Sequence, residues 1–177
     1  MTDVVVLVDD QGHPLGTVPK ATVHTTNTPL HLAFSCYVIY NRNILITRRA
    51  LGKKTWPGVW TNSACGHLAP TETAEQALNR WVPHELGINQ VHNVRCILPE
   101  FRYRAVDSHG IVENEICPVF IADITEDIHP AADEVDSFHW VQPADLLAAA
   151  DATPFAFSPW MVEQLAFPQL RGALLAL

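Results

Sequence analysis

Charge is scarce in this sequence. Only 17% of its 177 residues are charged while 48% are apolar, which excludes a disordered chain and allows a full hydrophobic core. Basic residues are scarcer than acidic ones, 11 against 19, and the net charge of −8 argues against nucleic acid or an anionic membrane as a general partner. An acidic chain can still take an anionic small molecule through a local basic cluster or a bridging divalent metal. No stretch approaches the roughly 20 apolar residues that span a bilayer. Met1-Thr2-Asp3-Val4 lacks the basic start and apolar run of a signal peptide, so a soluble, cytoplasmic protein is expected. Repeats, linkers and low-complexity segments are absent, and the length suits one domain over residues 1–177.

Cysteine is also sparse, with four residues and no CxxC spacing. A chain with a large core has little need of disulfides. Cys36, Cys96 and Cys117 sit in strand-like apolar runs and read as buried, inert thiols. Cys65 lies in a polar segment beside Gly66 and His67, reads as part of a turn, and is the candidate reactive thiol.

The hydrophobic pattern changes period along the chain. Val4 to Val8 is a β-branched run ended by Asp9-Asp10-Gln11-Gly12, with Leu15 to Val18 as a return strand. Leu32 to Tyr40 turns through Asn41-Arg42-Asn43 into Ile44 to Thr47, a β-hairpin. Lys53 to Gly66 reads as a structured loop punctuated by Trp56-Pro57-Gly58. From Glu72, Ala74, Ala77, Leu78, Trp81, Val82 and Leu86 fall on one helical face, with Thr71 as N-cap and Gly87 just past the C-terminus. Pro83 lies inside that helix and should kink it or shorten its last turn. Val94 to Arg104 and Ile111 to Asp123 read as a second long hairpin around Asp107 to Gly110. Val135 to Val141 reads as a strand, Pro143 opens a short helix through Ala150, and Ser158-Pro159 caps a final helix. Strands before and after a central helix, with helices at the end, indicate a mixed α/β (α+β) sandwich.

Two stretches carry chemistry. Thr61 to His67 offers a thiol and an imidazole two residues apart; Gly110 to Glu115 offers Glu113 and Glu115 among apolar neighbours. Residues at i and i+2 of a strand share a face, so the two carboxylates project together. Two carboxylates on a partly buried face repel each other unless a cation or a shared proton compensates. Of the nine histidines, most read as solvated surface residues. His24, His31 and His67 gain meaning only in combination: with Glu113 and Glu115 they make a set of three imidazoles and two carboxylates. Such a set suits Mn²⁺ or Mg²⁺ better than tetrahedral Zn²⁺.

Gly66, Glu72, Arg80, Glu85, Gly87 and Ile88 have the spacing Gly-x5-Glu-x7-Arg-x4-Glu-x-Gly-Ile. This resembles the Nudix box, a loop–helix–loop whose glutamates hold metal against a diphosphate. Trp81 and His84 stand where that box has further glutamates. The pattern therefore implies the Nudix fold with only part of the carboxylate cluster that diphosphate hydrolysis needs. A Nudix hydrolase and a non-catalytic metal- or nucleotide-binding module remain as alternatives.

Over nearly its whole length the chain resembles the type 1 isopentenyl-diphosphate isomerases. The matching segments include Leu30-His31-Leu32-Ala33-Phe34, Lys54-Thr55-Trp56-Pro57-Gly58-Val59-Trp60-Thr61-Asn62-Ser63, Cys65-Gly66-His67, Phe101-Arg102-Tyr103-Arg104, Gly110 to Glu115, and Phe157-Ser158-Pro159-Trp160. The resemblance implies a Nudix-type sandwich and an allylic proton shift between isopentenyl and dimethylallyl diphosphate. It assigns Cys65 and Glu115 as the catalytic pair and Tyr103 as the phenol bonded to the glutamate. By the same resemblance His24, His31, His67, Glu113 and Glu115 are metal ligands, and Glu85 holds Mg²⁺ against the diphosphate. Lys20, Arg49 and Lys53 are its diphosphate contacts, and Trp160 faces the carbocation. Some relatives carry a basic residue where this chain has Trp81, so a diphosphate contact there is lost. A small-molecule diphosphate is the implied partner, and the chain is expected to be a monomer or weak homodimer.

Overall fold

A computed structural model describes residues 4–177; Met1-Thr2-Asp3, where the leader reading mainly rests, lie outside the described residues. The spine is a ten-residue strand, β3 (His31–Tyr40), preceded by the hairpin β1 (Val4–Val8) and β2 (Pro14–Pro19) and the single turn α1 (Lys20–Val23). β3 alternates: Ala33, Tyr37 and Ile39 enter one apolar cluster, and Phe34, Cys36 and Val38 enter another. A strand buried on both faces reads as a continuous apolar run, as Leu32 to Tyr40 does. Each face needs its own cover. The helix α2 (Ala74–Leu86) covers the second face; α3 (Pro143–Ala152), α4 (Pro159–Leu165) and α5 (Pro168–Leu175) cover the first.

The remaining strands are β4 (Asn43–Arg49), β5 (Trp60–Thr61), β6 (Ala64–His67), β7 (His92–Leu98), β8 (Arg102–Val106), β9 (Val112–Ile116), β10 (Val119–Asp123) and β11 (Val135–Val141). The β3–β4 turn puts Asn41 and Arg42 at φ of 48° and 62°, the left-handed pair whose twist suits a two-residue hairpin. The second long hairpin is not continuous. Both arms break, so β8 pairs with β9 beside the start of β3, while β7 pairs with β10 beside its middle. Pro99 and Pro118 stand at the two breaks, where neither can donate a ladder hydrogen bond.

Three local expectations are corrected. Thr73, not Thr71, caps α2: the Gln76 N–H donates to the Thr73 hydroxyl at 3.2 Å, and the Thr73 N–H donates back to the Gln76 side chain at 2.9 Å. Thr71 has φ of 67°, incompatible with the extended backbone of an N-cap. Of the two outcomes expected of Pro83, the shortened last turn is not seen, since α2 runs on to Leu86. The Pro83 carbonyl instead accepts from the N–H groups of Gly87 and Ile88, closing the helix end, with Gly87 at φ of 65°. The helix after Ser158 is not the last, since α5 follows it. Ser158 does cap α4, accepting from the Met161 N–H. No helix among the described residues is long and apolar enough to cross a membrane.

Candidate active site

Sheet register assembles the site. His31 at the start of β3 lies beside Glu115 of β9, and Tyr103 of β8 lies opposite the same glutamate. On the other edge of β3, β6 sets Cys65 opposite Ser35 and His67 opposite Ala33. The segment Ala64–His67 is thus a strand rather than the turn expected for Cys65. Gly66 lets it pack closely, because a Cβ there would lie 2.8 Å from both Phe34 and Trp81.

A pocket of about 370 Å³ opens over these strands, and every catalytic, diphosphate-binding and metal residue expected from the resemblance lines it except His31, which is fully buried. That volume suits a small-molecule ligand. Cys96 departs from its expectation in a different way: it is exposed, on β7 at the margin of the sheet. Cys36 and Cys117 are buried, as expected.

His24, His31, His67 and Glu115 each bring one ligand atom within 4.8 Å of the others. Glu113 joins them, its carboxylate 2.9 Å from His24 Nε2. Glu115 Oε1 is 3.4 Å from His31 Nε2 and 3.3 Å from His67 Nε2. These approaches lack hydrogen-bond geometry, so the buried Nε2 atoms of all three imidazoles are unsatisfied among the described residues, as is Glu113 Oε2. Buried polar atoms are rarely left so. His31 Nδ1 lies 2.9 Å from the Pro29 carbonyl, which calls for the proton on Nδ1 and leaves Nε2 as a lone pair aimed into the cluster. The donor set and its orphaned atoms fit a divalent metal ion.

Opposing effects set the charges. Burial disfavours the Glu115 carboxylate, but His31 and His67 outweigh it and hold the carboxyl well below the usual range. Tyr103 donates to Glu115 at 2.9 Å, and burial keeps that phenol protonated. Burial lowers His67; for His31 burial acts the same way, but the nearby Glu115 carboxylate outweighs it and the net shift is upward. Burial pushes the Cys65 thiol up to about 12, despite hydrogen bonds from Ser35 and Asn62. Burial, reinforced by Glu134, likewise pushes Glu85 up to about 8, and its buried Oε2 has no partner among the described residues. A carboxyl in that state can accept a cation as soon as its proton leaves.

Cations surround the same pocket. Lys20, Arg49 and Lys53 line it, joined by Lys54, which was not singled out. Lys20 sits 4.4 Å from the centre of the Trp81 ring. Arg49 is held by the Thr55 carbonyl at 2.9 and 3.1 Å, and Lys53 is ion-paired with Glu134. Trp160 is buried in the wall, packed edge-on against Trp56 and tilted against Tyr103. Sequence reasoning missed Thr55, Asn62 and Glu134. Thr55 donates to Glu113 at 2.7 Å, and Asn62 accepts from Trp160 Nε1 at 3.1 Å. Thr55 and Asn62 fall within matching segments, which was the signal available for them; Glu134 carries none.

Comparison with known proteins shows the family. The NUDIX domain family matches residues 29–161. The chain is 64% identical over 176 residues to the isopentenyl-diphosphate Delta-isomerase of Corynebacterium diphtheriae, covering 97% of this chain and 96% of that one. It is 53% identical over 178 residues to the same-named protein of Corynebacterium glutamicum, covering 98% and 94%. Among solved structures, DR0079 from Deinococcus radiodurans shares the fold, with a TM-score of 0.70 at 16% identity, covering 92% of this chain and 97% of that one. The chain therefore belongs to the Nudix superfamily and, within it, to the isopentenyl-diphosphate Delta-isomerase family.

Proposed function

We propose that this chain interconverts isopentenyl and dimethylallyl diphosphate with Cys65 and Glu115 as its acid–base pair. The observation that carries the reading is their convergence on one pocket with unlike protonation states. Adding a proton to the terminal carbon of the alkene leaves a tertiary carbocation, and loss of a proton from the adjacent methylene makes the double bond internal. The reaction has no net redox and no net loss of protons. Such a cycle needs one transferable proton at rest and one ionised base. A protonated thiol and an ionised carboxylate meet that count.

Tyr103 holds the Glu115 carboxylate in place by its hydrogen bond. The Trp160 ring stabilises the carbocation, a cation–π interaction of roughly 0.5–2 kcal/mol. The buried aromatic wall of Trp160 and Tyr103 keeps out water that would trap the cation as an alcohol. Lys20, Arg49 and Lys53 bind the diphosphate, Lys53 exchanging Glu134 for substrate oxygens. His24, His31, His67, Glu113 and Glu115 hold a divalent ion, Mg²⁺ or Mn²⁺, and Glu85 holds Mg²⁺ beside the diphosphate. Bound there, the ions supply fixed positive charge that organises the carboxylates and neutralises the substrate anion.

The working unit is taken as one domain over residues 1–177, acting as a monomer or weak homodimer on a small diphosphate, with no nucleic acid or membrane partner. Four free thiols, one of them required, suit the reducing cytoplasm. Names of close relatives support isomerase over hydrolase, in keeping with Trp81 and His84 in place of box glutamates. The deciding assay incubates purified protein with isopentenyl diphosphate and Mg²⁺. Dimethylallyl diphosphate is the expected product; phosphate release without isomer sinks the reading. Cys65→Ala should remove turnover with the fold intact, and near-full rate would reassign the thiol.

A further inference from the structure

Behind Cys65 runs a chain of neutral polar side chains that the site described above does not use. Ser35 and Tyr37 lie two residues apart on the same face of β3, and Gln164 descends on them from α4; all three are fully buried. Tyr37 donates its hydroxyl to Gln164 Oε1 at 2.9 Å. Gln164 Nε2 donates to Ser35 Oγ at 2.9 Å. Ser35 Oγ lies 3.3 Å from Cys65 Sγ and 3.4 Å from Cys117 Sγ.

Proton accounting fixes the direction of this chain. The buried Tyr37 phenol keeps its proton and has Gln164 as its hydrogen-bond partner, so the amide must turn its oxygen to Tyr37 and its nitrogen to Ser35. Ser35 then receives from Gln164, and its own single proton is left for a sulfur. On the other side, Asn62 Nδ2 lies 3.2 Å from Cys65 Sγ, but its two hydrogens also face the carbonyls of Ala64 at 2.9 Å and Cys36 at 3.2 Å. Asn62 Oδ1, the acceptor nearest the thiol at 3.4 Å, already receives Thr61 Oγ1 at 2.9 Å and Trp160 Nε1 at 3.1 Å. The Cys65 sulfur is therefore backed by Ser35, which it shares with Cys117, while the Asn62 oxygen nearest the thiol is already filled. Core stability does not call for such a chain, because apolar groups of the same shape would be nearly neutral there.

We propose that Ser35, Gln164 and Tyr37 are positioning residues for Cys65, a hydrogen-bond relay that pins its sulfur in the wall of the pocket. The inference rests on Cys65 acting in the isomerisation. None of the three touches the substrate. Loss of any link frees the sulfur to shift, lowering the fraction of enzyme with a correctly placed thiol while leaving the diphosphate contacts alone.

The test is steady-state isomerisation of isopentenyl diphosphate by wild type, Tyr37→Phe, Ser35→Ala and the double variant, with thermal unfolding of each. Tyr37→Phe should lower kcat about fivefold and Ser35→Ala about tenfold or more, with KM held within about twofold. The double variant should be no slower than Ser35→Ala alone, since without Ser35 the Tyr37 hydroxyl no longer reaches the thiol; such non-additivity marks residues acting as a unit. Unchanged kcat in folded Ser35→Ala, losses that multiply, or a rise in KM instead of a fall in kcat would overturn the relay. Should Tyr37→Phe unfold, Gln164→Met replaces it, with the same expectations. A wild-type protein without isomerase activity would defeat the proposed function instead, so the two failures are distinct.

Discussion

Tyr103 and Glu115 face each other across the β8–β9 pair, joined by a 2.9 Å hydrogen bond from phenol to carboxylate in a buried setting. The same carboxylate lies within 3.4 Å of two imidazoles, so its position is defined from three sides. Tyr103→Phe removes one of those constraints without opening a cavity. The expected outcome is a fall in kcat of about tenfold or more, the scale of losing one donor to a catalytic anion, with melting temperature nearly unchanged. Kinetics and thermal unfolding on the same preparation check both halves.

Metal binding is open to a direct measurement. His24→Ala and His31→Ala each remove a ligand atom from the cluster and should lower bound metal by elemental analysis. A metal content equal to wild type refutes the ligand role. Metal-free wild type should melt higher on addition of Mn²⁺, by about 2.7 kcal/mol of stability at 100 times its Kd, and the variants should not follow.

Glu85 makes a pH prediction. Its folded value of about 8 lies above the ordinary 4.5, so the folded state holds a proton that the unfolded state has released between those values. Stability then falls with rising pH, since the unfolded state binds fewer protons there. The penalty is absent below about pH 4.5, grows through the interval and levels off above about 8, reaching a few kcal/mol. His31 and His67 are shifted in opposite senses, so the test is a difference curve. Metal-free Glu85→Gln should lose less stability than wild type between pH 5 and 8, measured by thermal unfolding; parallel curves count against a neutral Glu85.

Gly66 tests the packing under the catalytic strand. An alanine Cβ would stand 2.8 Å from Phe34 Cε1 and Trp81 Cδ1, and Phe34 is fully buried with no room to retreat. Gly66→Ala should cost about 1–3 kcal/mol, the usual scale of overpacking, and depress kcat because β6 carries both Cys65 and His67. Chemical denaturation and the isomerase assay together check this.

Periodic features were the legible ones. The 3.6-residue spacing marked the buried face of α2, and the two-residue spacing of Glu113 and Glu115 placed both inward on β9. Conformational choices among near-equal local candidates were less legible. Thr71 and Thr73 carry the same side chain, and backbone angles selected the second as the cap. Cys96 sits in an apolar run like Cys36, but one lies on the edge strand β7 and the other on the central β3, an outcome of strand order. The short strand β6 showed no alternation because its four residues include a cysteine, a glycine and a histidine, whose places are set by Phe34 and Trp81 across the interface.

By itself the sequence determined the residue types of the site, the periodicities of its main elements and the segments that mark its family, all properties of local order along the chain. Tertiary structure decided what meets what. Register on β3 brings His31 to Glu115 and Cys65 to Ser35, residues 84 and 30 positions apart. Pairing over such separations is written in no local pattern, because strand register is settled only when the distant strands bury their apolar faces together.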